Sequence, residues 1–484
     1  MEHIFRETKN KSRFLFPVDI AEKRQEVLRC WQIKKTNTKH RRKRDMEKYA
    51  VIEDAKQYMD EYREDMIAFA QKLLKVKSIS GHEKGIADLY LEEMEKLGYD
   101  EVFRDEYGNV VGLVKGDESG PTIMYNSHMD HVDEGDLSNW EGYDPYGGLK
   151  DICEVDNQEK TAVEKSTCLH GRAASDVKAG GAVQIYTGAV LARLKKEGYA
   201  LRGTFMFSGV VLEEAGENLG MKLLHRETLP KHGLDYDCVV SSEASSLKLA
   251  LGHRGRIEYL ATTLGRTSHG SAPWLGINAI YKAIPFINKV KDELYPSLPT
   301  DPDLGQASIS LNIIECTPGA LSIVPDHCMM SFDRRTLPSE DPEEVLVQFE
   351  KIADDLAKED SEFKAEVQVK QGTQTTYTGI TVTDDKNSYP WKISREHPFV
   401  KAAAKALENV GQQVKYTHWT FATDLSVTAG MYHKPSIGYS PMQEQYAHTP
   451  YDKVRVDFMQ TALDGNISIF LSCAEAGKEI GKLI

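Results

Sequence analysis

The stretch Thr122–Val132, which reads TIMYNSHMDHV, decides both the expected fold and the expected site. Its first four residues are β-branched or apolar and carry no charge, which predicts the end of a buried strand. The strand runs directly into His128 and Asp130. An imidazole at a strand end can ligate a metal ion, and a nearby carboxylate can accept the other ring N–H and fix the tautomer. The His-x-Asp pattern is weak alone, because an aspartate here can simply cap a turn.

Length and composition predict a soluble globular protein with two domains. A chain of 484 residues is too long for one core, and 40% hydrophobic with 28% charged residues is typical of globular chains. No apolar run approaches the length of a membrane span, and Met1–Pro17 does not resemble a secretory signal. Seven cysteines without a CxxC pair favour the cytoplasm, and a net charge of −14 argues against nucleic acid as the main partner. We therefore expect a cytoplasmic protein that acts on neither membranes nor nucleic acid.

Residues 1–45 differ from the rest of the chain. They contain 14 Lys and Arg against 6 Asp and Glu, a net charge of +8, so the remainder carries −22. Their densest part is Lys39–Arg44, KHRRKR. A tail that binds nucleic acid or an anionic membrane is one interpretation. We favour a poorly ordered extension, or an upstream start that precedes the natural start at Met46.

The rest of the chain predicts an α/β domain interrupted by a second unit. Strands alternate with helices over 46–252, which indicates a mostly parallel sheet covered on both faces. The strands Gly203–Val211 and Asp237–Ser241 both lead into glutamates, where open α/β sheets place their sites. Over 253–371 the order becomes β-α-β-β-α-β, the plan of a ferredoxin-like unit. Residues 372–484 then return to the first domain.

Three stretches between these elements are predicted to lack strands. They are the polar loop Asp133–Gly148, the connection from there to Thr167, and the long loop Gly372–Tyr389. The chain shows neither an internal repeat nor a low-complexity tract.

Six side chains with imidazole or carboxylate ligands follow predicted strands, namely His128, Asp176, Glu213, Glu214, Glu243 and His448. These ligands suit zinc, manganese or cobalt rather than a thiolate-bound metal. Two histidines and three carboxylates are enough for two ions if one carboxylate bridges them. The fourth carboxylate is then free to act as a base.

Several short motifs follow one another in a fixed order from about Glu47 to the C-terminus. They are HMD (128–130), GRAASDVKAGG (171–181), EEAGE (213–217), SSEAS (241–245), SHGSAP (268–273) with GINAI (276–280), and AHTP (447–450). This ordered set resembles the M20 family of cocatalytic metallopeptidases, which includes carboxypeptidases, aminoacylases and desuccinylases. The motifs GHRGRIEY, SFDRRT, YPWKI and HWTF give a narrower resemblance, to the hydrolase subgroup named for selenium-metabolism gene neighbourhoods. The resemblance implies a zinc-peptidase-like catalytic domain and an inserted lid through which two chains dimerise.

The resemblance also implies the metal ligands. His128, Asp176 and Glu243 match the ligands of one ion, and Glu214 and His448 match those of the other, with Asp176 bridging the two. It implies a cis peptide bond after Asp176. We expect two divalent ions, with zinc preferred over manganese or cobalt.

Four further roles follow from the same resemblance. Glu213 matches the catalytic base, and Asp130 matches the residue that orients His128. His269 and Arg335, both in the inserted unit, match residues that reach the substrate. The family implies that His269 crosses the dimer interface into the active site of the neighbouring chain, while Arg335 holds a substrate carboxylate by a forked pair of hydrogen bonds.

We therefore expect a hydrolase that cleaves an amide bond, peptide or N-acyl, in a small molecule with a free carboxylate. Glu243, where other members have Asp, goes with carboxypeptidase and deacylase types in the family. One alternative is an aminopeptidase-type di- or tripeptidase, which would not be expected to contain SHGSAP. The other is a metal-bound binding protein without hydrolytic activity. That alternative would be favoured if Glu213 or a ligand were replaced, but the sequence has all of these residues.

Three further residues have structural rather than catalytic interpretations that we favour. His131 follows HMD where the family usually has Thr, and a supporting or surface role is preferred to a role as ligand. Arg254 and Arg256 are expected to hold the hinge between the two domains rather than to contact substrate.

Overall fold

Two separate β-sheets organise the fold in a computed structural model that describes residues 55–483. The basic stretch 1–45 and the start at Met46 lie outside the described residues, so the expectations about them stay predictions. Within the described range, no helix combines the length and the low polarity that crossing a bilayer requires.

The larger sheet has nine strands within residues 55–483. In spatial order they are Glu101–Arg104, Val110–Lys115, Arg202–Val210, Glu118–His128, Cys238–Ser241, Ser436–Gly438, Leu249–His253 and Trp391–Lys392, with Tyr416–Trp419 also paired to Leu249–His253. The four strands from Arg202–Val210 to Ser436–Gly438 run parallel. Towards both edges of this path the pairings are antiparallel. The α/β class is therefore confirmed, and the parallel arrangement belongs to the centre of a mixed sheet.

Helices cover this sheet on both faces. Consecutive residues of the central strands Glu118–His128 and Arg202–Val210 are buried, which requires cover on each side. Gly98, at φ 83°, ends the helix Lys84–Leu97, because glycine adopts the left-handed conformation without a steric cost. The described helices of this part are 55–74, Lys84–Leu97, Ala179–Lys196, Leu219–Leu223, Leu229–Lys231, Pro398–Asn409 and Val456–Ala476.

The inserted unit has the predicted β-α-β-β-α-β order. Its antiparallel strands are, in spatial order, Ser308–Thr317, His327–Thr336, Gly255–Leu264 and Ala365–Val369, and Asn387–Ser388 also pairs with Gly255–Leu264. The helices Ala279–Lys289 and Pro342–Glu359 pack against this sheet through Phe286 and Phe349, which are fully buried. A short pair, Thr300–Asp301 with Gly305–Gln306, lies in the connection. The domain limits at 253 and 371 remain predictions.

Two of the stretches predicted to lack strands form hairpins. Leu149–Asp156 pairs with Val163–His170, and Lys453–Arg455 adds a third strand to them. Gln371–Thr375 pairs with Thr381–Asp385. The predictions for both regions were wrong because these strands are polar and largely exposed, so their sequences lack the apolar alternation that marks a strand.

Candidate metal centre

The strand Glu118–His128 delivers His128 into a cluster of carboxylates. His128 Nε2 lies 3.1 Å from Asp176 Oδ1 and 3.5 Å from Glu243 Oε1. His128 Nδ1 lies 3.0 Å from the backbone oxygen of Asp130. Because a carbonyl oxygen only accepts, Nδ1 carries the proton, and the lone pair of Nε2 faces the carboxylates as a metal ligand requires.

The same carboxylates set the charge of His128. Burial lowers the pKa of this imidazole, but hydrogen bonds to Asp130, Asp176 and Glu243 outweigh burial and raise the pKa well above its ordinary value. These carboxylates therefore stabilise a positive charge at His128, and either a proton or a metal ion can supply that charge.

His448 approaches the other oxygen of Asp176. His448 Nε2 lies 2.8 Å from Asp176 Oδ2 and 3.1 Å from Glu214 Oε1. Hydrogen bonds to Asp176 and Glu214 raise the pKa of His448 to about 10. The two oxygens of Asp176 thus face different histidines, which is the arrangement of a carboxylate that bridges two ions. The Asp176–Val177 peptide bond is cis, as the resemblance implies.

Asp130 connects the two halves of this cluster. It is fully buried. Its Oδ1 accepts from the backbone N–H of Glu213 at 3.1 Å. Its Oδ2 accepts from the N–H of Glu214 at 3.0 Å and from the Ser80 hydroxyl at 2.7 Å. Asp130 therefore fixes the Glu213–Glu214 turn as well as lying beside His128.

Glu213 has the electrostatic setting of a group that exchanges a proton. Burial raises its pKa well above the ordinary value, His128 partly offsets this, and the carboxylates of Glu214 and Glu243 raise it further. A raised pKa makes the carboxylate a stronger base, which suits a group that takes a proton from water.

The cluster opens into a cavity of about 420 Å³, a volume typical of small-molecule sites. Arg335 and Arg256 of the inserted unit contribute to its wall. The guanidinium of Arg335 donates to Asp333 at 2.7 Å. Arg256 forms ion pairs with three carboxylates, including Glu217 of the EEAGE motif, which supports the hinge interpretation.

His269 is not among the residues that line this cavity. It is exposed on its own loop, where Nδ1 lies 2.7 Å from the Ser271 hydroxyl and 3.1 Å from the Ser271 nitrogen. Its backbone bridges to Ile323 of the same unit. The single chain thus brings together every other predicted site residue, and the role of His269 stays a prediction that requires a second chain.

His131 is a buried structural histidine. Its Nε2 accepts from the N–H of Ser78 at 2.9 Å, and its Nδ1 lies 2.7 Å from the oxygen of Val132. Burial, with the charge of Lys178, lowers the pKa of His131 to about 4. Both nitrogens are used by the backbone, so His131 supports the strand end and does not ligate a metal.

Two aspartates of the site were missed from the sequence. Asp424 follows the strand Tyr416–Trp419 and is buried beside the cluster, where burial raises its pKa to about 7 and His128 partly offsets the rise. Asp452 is buried too, and accepts from the N–H groups of Ala173 and Ser175 in the loop before Asp176. Each is a single aspartate after a strand or a loop motif, a signal that is also typical of turn caps.

Comparison with known protein sequences gives two findings. Residues 251–361 match the M20 peptidase dimerisation domain. The chain is 30% identical over 405 residues to the uncharacterized protein YgeY of Escherichia coli (strain K12). The aligned region covers 83% of this chain and 92% of that protein. The narrower resemblance to the selenium-linked subgroup stays a prediction.

Solved structures share the fold. The aminopeptidase PepT from Bacillus cereus superposes with a TM-score of 0.61 at 21% identity, covering 85% of this chain and 99% of that one. The YXEP protein of Bacillus subtilis, described as a dinuclear metal binding peptidase from the M20 family, gives a TM-score of 0.57 at 16% identity over 86% and 99% of the two chains. At these identities the likeness extends to the fold alone.

Proposed function

Since this chain belongs to the M20 family of metallopeptidases, we propose that it hydrolyses an amide bond, peptide or N-acyl, in a small substrate with a free carboxylate. The observation that carries the proposal is the position of Asp176. Each of its oxygens faces a different histidine, at 3.1 Å and 2.8 Å, beside a cavity large enough for a small substrate.

The donor set fits two divalent ions. His128, Asp176 and Glu243 are one group of ligands, and Asp176, Glu214 and His448 are the other. Imidazole and carboxylate ligands favour zinc, with manganese or cobalt as alternatives. Ions bound there would supply a water of lowered pKa and positive charge near a developing oxyanion.

Glu213 is the proposed proton carrier. Its carboxylate would take a proton from the attacking water and release it to the leaving nitrogen. This shuttle needs a group whose neutral and charged forms are close in free energy. Burial and the surrounding carboxylates disfavour the charged form of Glu213, which raises its pKa and reduces the free-energy difference between the two forms. Asp130 holds the backbone N–H groups of Glu213 and Glu214, so it would keep the base at a fixed position relative to His128.

Arg335 is the proposed anchor for the substrate carboxylate. The cavity wall is otherwise rich in carboxylates, such as Glu213, Glu214 and Glu217, so an anionic substrate needs a cation to orient it. Among residues 55–483, Arg335 forms an ion pair with Asp333 alone, whereas Arg256 is already paired with three carboxylates. Arg335 therefore keeps donors for a forked pair of hydrogen bonds.

A homodimer formed through the inserted unit would complete the site. The dimerisation-domain match covers this unit, and its surface exposes large apolar side chains. Trp274 is 76% exposed and Leu275 63%, and both lie within six residues of His269. A second copy covering this surface would bring His269 to the neighbouring chain, where an imidazole could donate to the oxyanion.

A substrate screen tests the proposed reaction. Metal-stripped protein is reloaded with zinc, manganese or cobalt and assayed against N-acyl amino acids and dipeptides, each paired with its C-terminal amide. We expect metal-dependent hydrolysis that favours the free carboxylate. Hydrolysis that requires a free amino group and tolerates the amide would indicate the aminopeptidase alternative. Metal binding without turnover of any compound would indicate a binding protein, and full activity in stripped protein would overturn the two-metal proposal.

A further inference from the structure

The hairpin Leu149–Asp156/Val163–His170 contains a second cluster of metal-ligand side chains. Asp151 lies opposite Cys168, and Cys153 and His170 are each two residues further along their own strands. Because paired residues and residues two apart share a face, all four side chains lie on the same side of the hairpin. None of them belongs to the candidate metal centre described above.

Three of these side chains already surround a common point. The ligand atoms of Asp151, Cys153 and His170 all lie within 4.8 Å of one another. In a tetrahedral zinc site, bond lengths of about 2.0–2.3 Å place ligand atoms about 3.3–3.8 Å apart, so the cluster has the right scale.

The polar atoms of this cluster are not satisfied by one another. His170 Nε2 and Asp151 Oδ1 lie 2.7 Å apart, but they are not aligned for a hydrogen bond. Both atoms are buried, and neither has a hydrogen-bond partner in the part of the chain that the structure describes. A buried donor or acceptor without a well-aligned partner destabilises the fold. An ion that binds both atoms would remove that destabilisation.

Cys168, whose sulfur lies outside that group of three, is the candidate for a fourth ligand. It is fully buried, and neither Cys168 nor Cys153 forms a disulfide within the described residues. The hydrogen bond with Cys168 lowers the pKa of Cys153 to about 5, with smaller contributions from His170 and Lys453, and burial only partly opposes this shift. The same hydrogen bond and burial raise the pKa of Cys168, so Cys168 would release its proton on binding a metal ion. The two sulfur atoms are therefore neighbours, and the thiolate is the form that binds metals.

We propose that Asp151, Cys153, Cys168 and His170 bind a zinc ion in a structural site separate from the candidate metal centre. Two thiolates, an imidazole and a carboxylate are a four-ligand set that suits zinc. This set leaves one negative charge on the complex, and the Lys453 ammonium acts on the same group of side chains. Cys153 and His170 line a cavity of about 210 Å³, which gives the ion a route of entry.

The surroundings of His170 fit a ligand held in place. Its ring stacks on Tyr143, with centroids 4.5 Å apart and planes within 9°. His170 also pairs across the sheet with Lys453. The chain runs from His170 into the loop with Asp176, and from His448 into Lys453. An ion in the hairpin would therefore stabilise the strands that border both loops of the candidate metal centre.

Cobalt substitution separates the two sites. The proposed ligands of the candidate metal centre are imidazoles and carboxylates, so a thiolate-to-cobalt charge-transfer band in the near ultraviolet reports the hairpin site alone. We expect full-length wild-type protein loaded with Co²⁺ to show this band. The double variant Cys153→Ser/Cys168→Ser should lose the band and bind one cobalt ion fewer per chain.

The chain offers a matched control. Cys316 and Cys328 form another thiol pair, with sulfur atoms 3.3 Å apart, in the inserted unit. Cys316→Ser/Cys328→Ser should keep both the band and the cobalt content. A band that survives loss of Cys153 and Cys168, or that disappears in the control, would overturn the proposal.

The wild type alone decides the matter if the variants fail to fold. Reduced wild-type protein that binds cobalt at the candidate metal centre without a thiolate band would contradict a zinc site in the hairpin. A Cys153–Cys168 disulfide in freshly isolated protein, seen by mass spectrometry without reduction, would contradict it as well. Metal analysis of the protein as isolated should find zinc that is absent from the Cys153→Ser/Cys168→Ser variant.

Discussion

The catalytic part of the chain, which is the domain of the larger sheet, and the inserted unit differ in one respect. One chain brings together all the site residues proposed in the first, but not those proposed in the second. In the first, loops at strand ends bring His128 and His448 within hydrogen-bonding distance of Asp176, and Asp130 accepts from the backbone N–H groups of Glu213 and Glu214. In the second, Arg335 reaches the cavity but His269 is exposed on its own loop. On the proposed roles, metal binding and proton transfer would need one chain, whereas the oxyanion contact would need two.

The largest expected effect comes from the base in the catalytic part. Glu213→Gln keeps the shape of the side chain but removes proton transfer, so the rate should fall roughly 10²- to 10⁴-fold while metal content is unchanged. Glu214→Gln is the matched control, since it changes the adjacent carboxylate that contacts His448 at 3.1 Å. That variant should lose metal. Equal metal loss in both variants would refute the division of roles, and metal analysis beside turnover measures it.

The next prediction tests whether the inserted unit acts across chains. His269→Ala should reduce the rate strongly with little change in metal content, because His269 contacts Ser271 and no proposed ligand. Mixing His269→Ala chains with Glu213→Gln chains should restore part of the activity. In a mixed dimer, one site combines an intact base from one chain with an intact histidine from the other.

Chain exchange has to be shown for that test to be decisive. Differently tagged chains that co-purify after mixing provide the control. If they exchange and no activity returns, His269 acts within its own chain or has no catalytic role. In that case the inserted unit would not need a second chain, and the difference drawn between it and the catalytic part would be wrong.

The sequence predicted the catalytic part well for a physical reason. The apolar run before His128 marks a buried central strand, and parallel strands that end at one edge bring their following residues together. Consequently the residues proposed as ligands from the sequence, such as Asp176 and His448, do lie together in the structure. Asp424 was missed because one aspartate after a strand has no distinctive spacing.

The hairpin cluster was missed for a different reason. Its proposed ligands occur as Asp-x-Cys and Cys-x-His on two polar strands, each exposed at its start, and no CxxC spacing marks them. Only the strand register, with Asp151 opposite Cys168, makes them neighbours. Register in a polar hairpin is not set by an apolar face, so the sequence alone cannot supply it.

A smaller effect is expected from the substrate anchor. Arg335→Gln removes a charged partner worth about 1.5–3 kcal/mol, so kcat/KM for carboxylate substrates should fall about 10- to 100-fold. The C-terminal amides of the same substrates should respond much less. Arg202→Gln, which changes a surface arginine paired with Glu118 at 2.8 Å, should leave both rates unchanged. Equal losses for acids and amides would show that Arg335 supports the fold of the cavity instead of binding the carboxylate.

The smallest effect is expected outside both regions. Deleting residues 1–45 removes a strongly basic stretch of net charge +8, which we expect to offer little to a core. Activity and melting temperature should therefore stay nearly unchanged, as measured by turnover and thermal unfolding at fixed metal and salt concentrations. Salt matters because the deletion takes the net charge of the chain from −14 to −22, and repulsion in the acidic remainder is weakest when it is screened. A fall in melting temperature that persists at high salt would mean that this stretch packs against the body of the protein. A fall seen only at low salt would reflect net charge, and the two-region account of activity would stand.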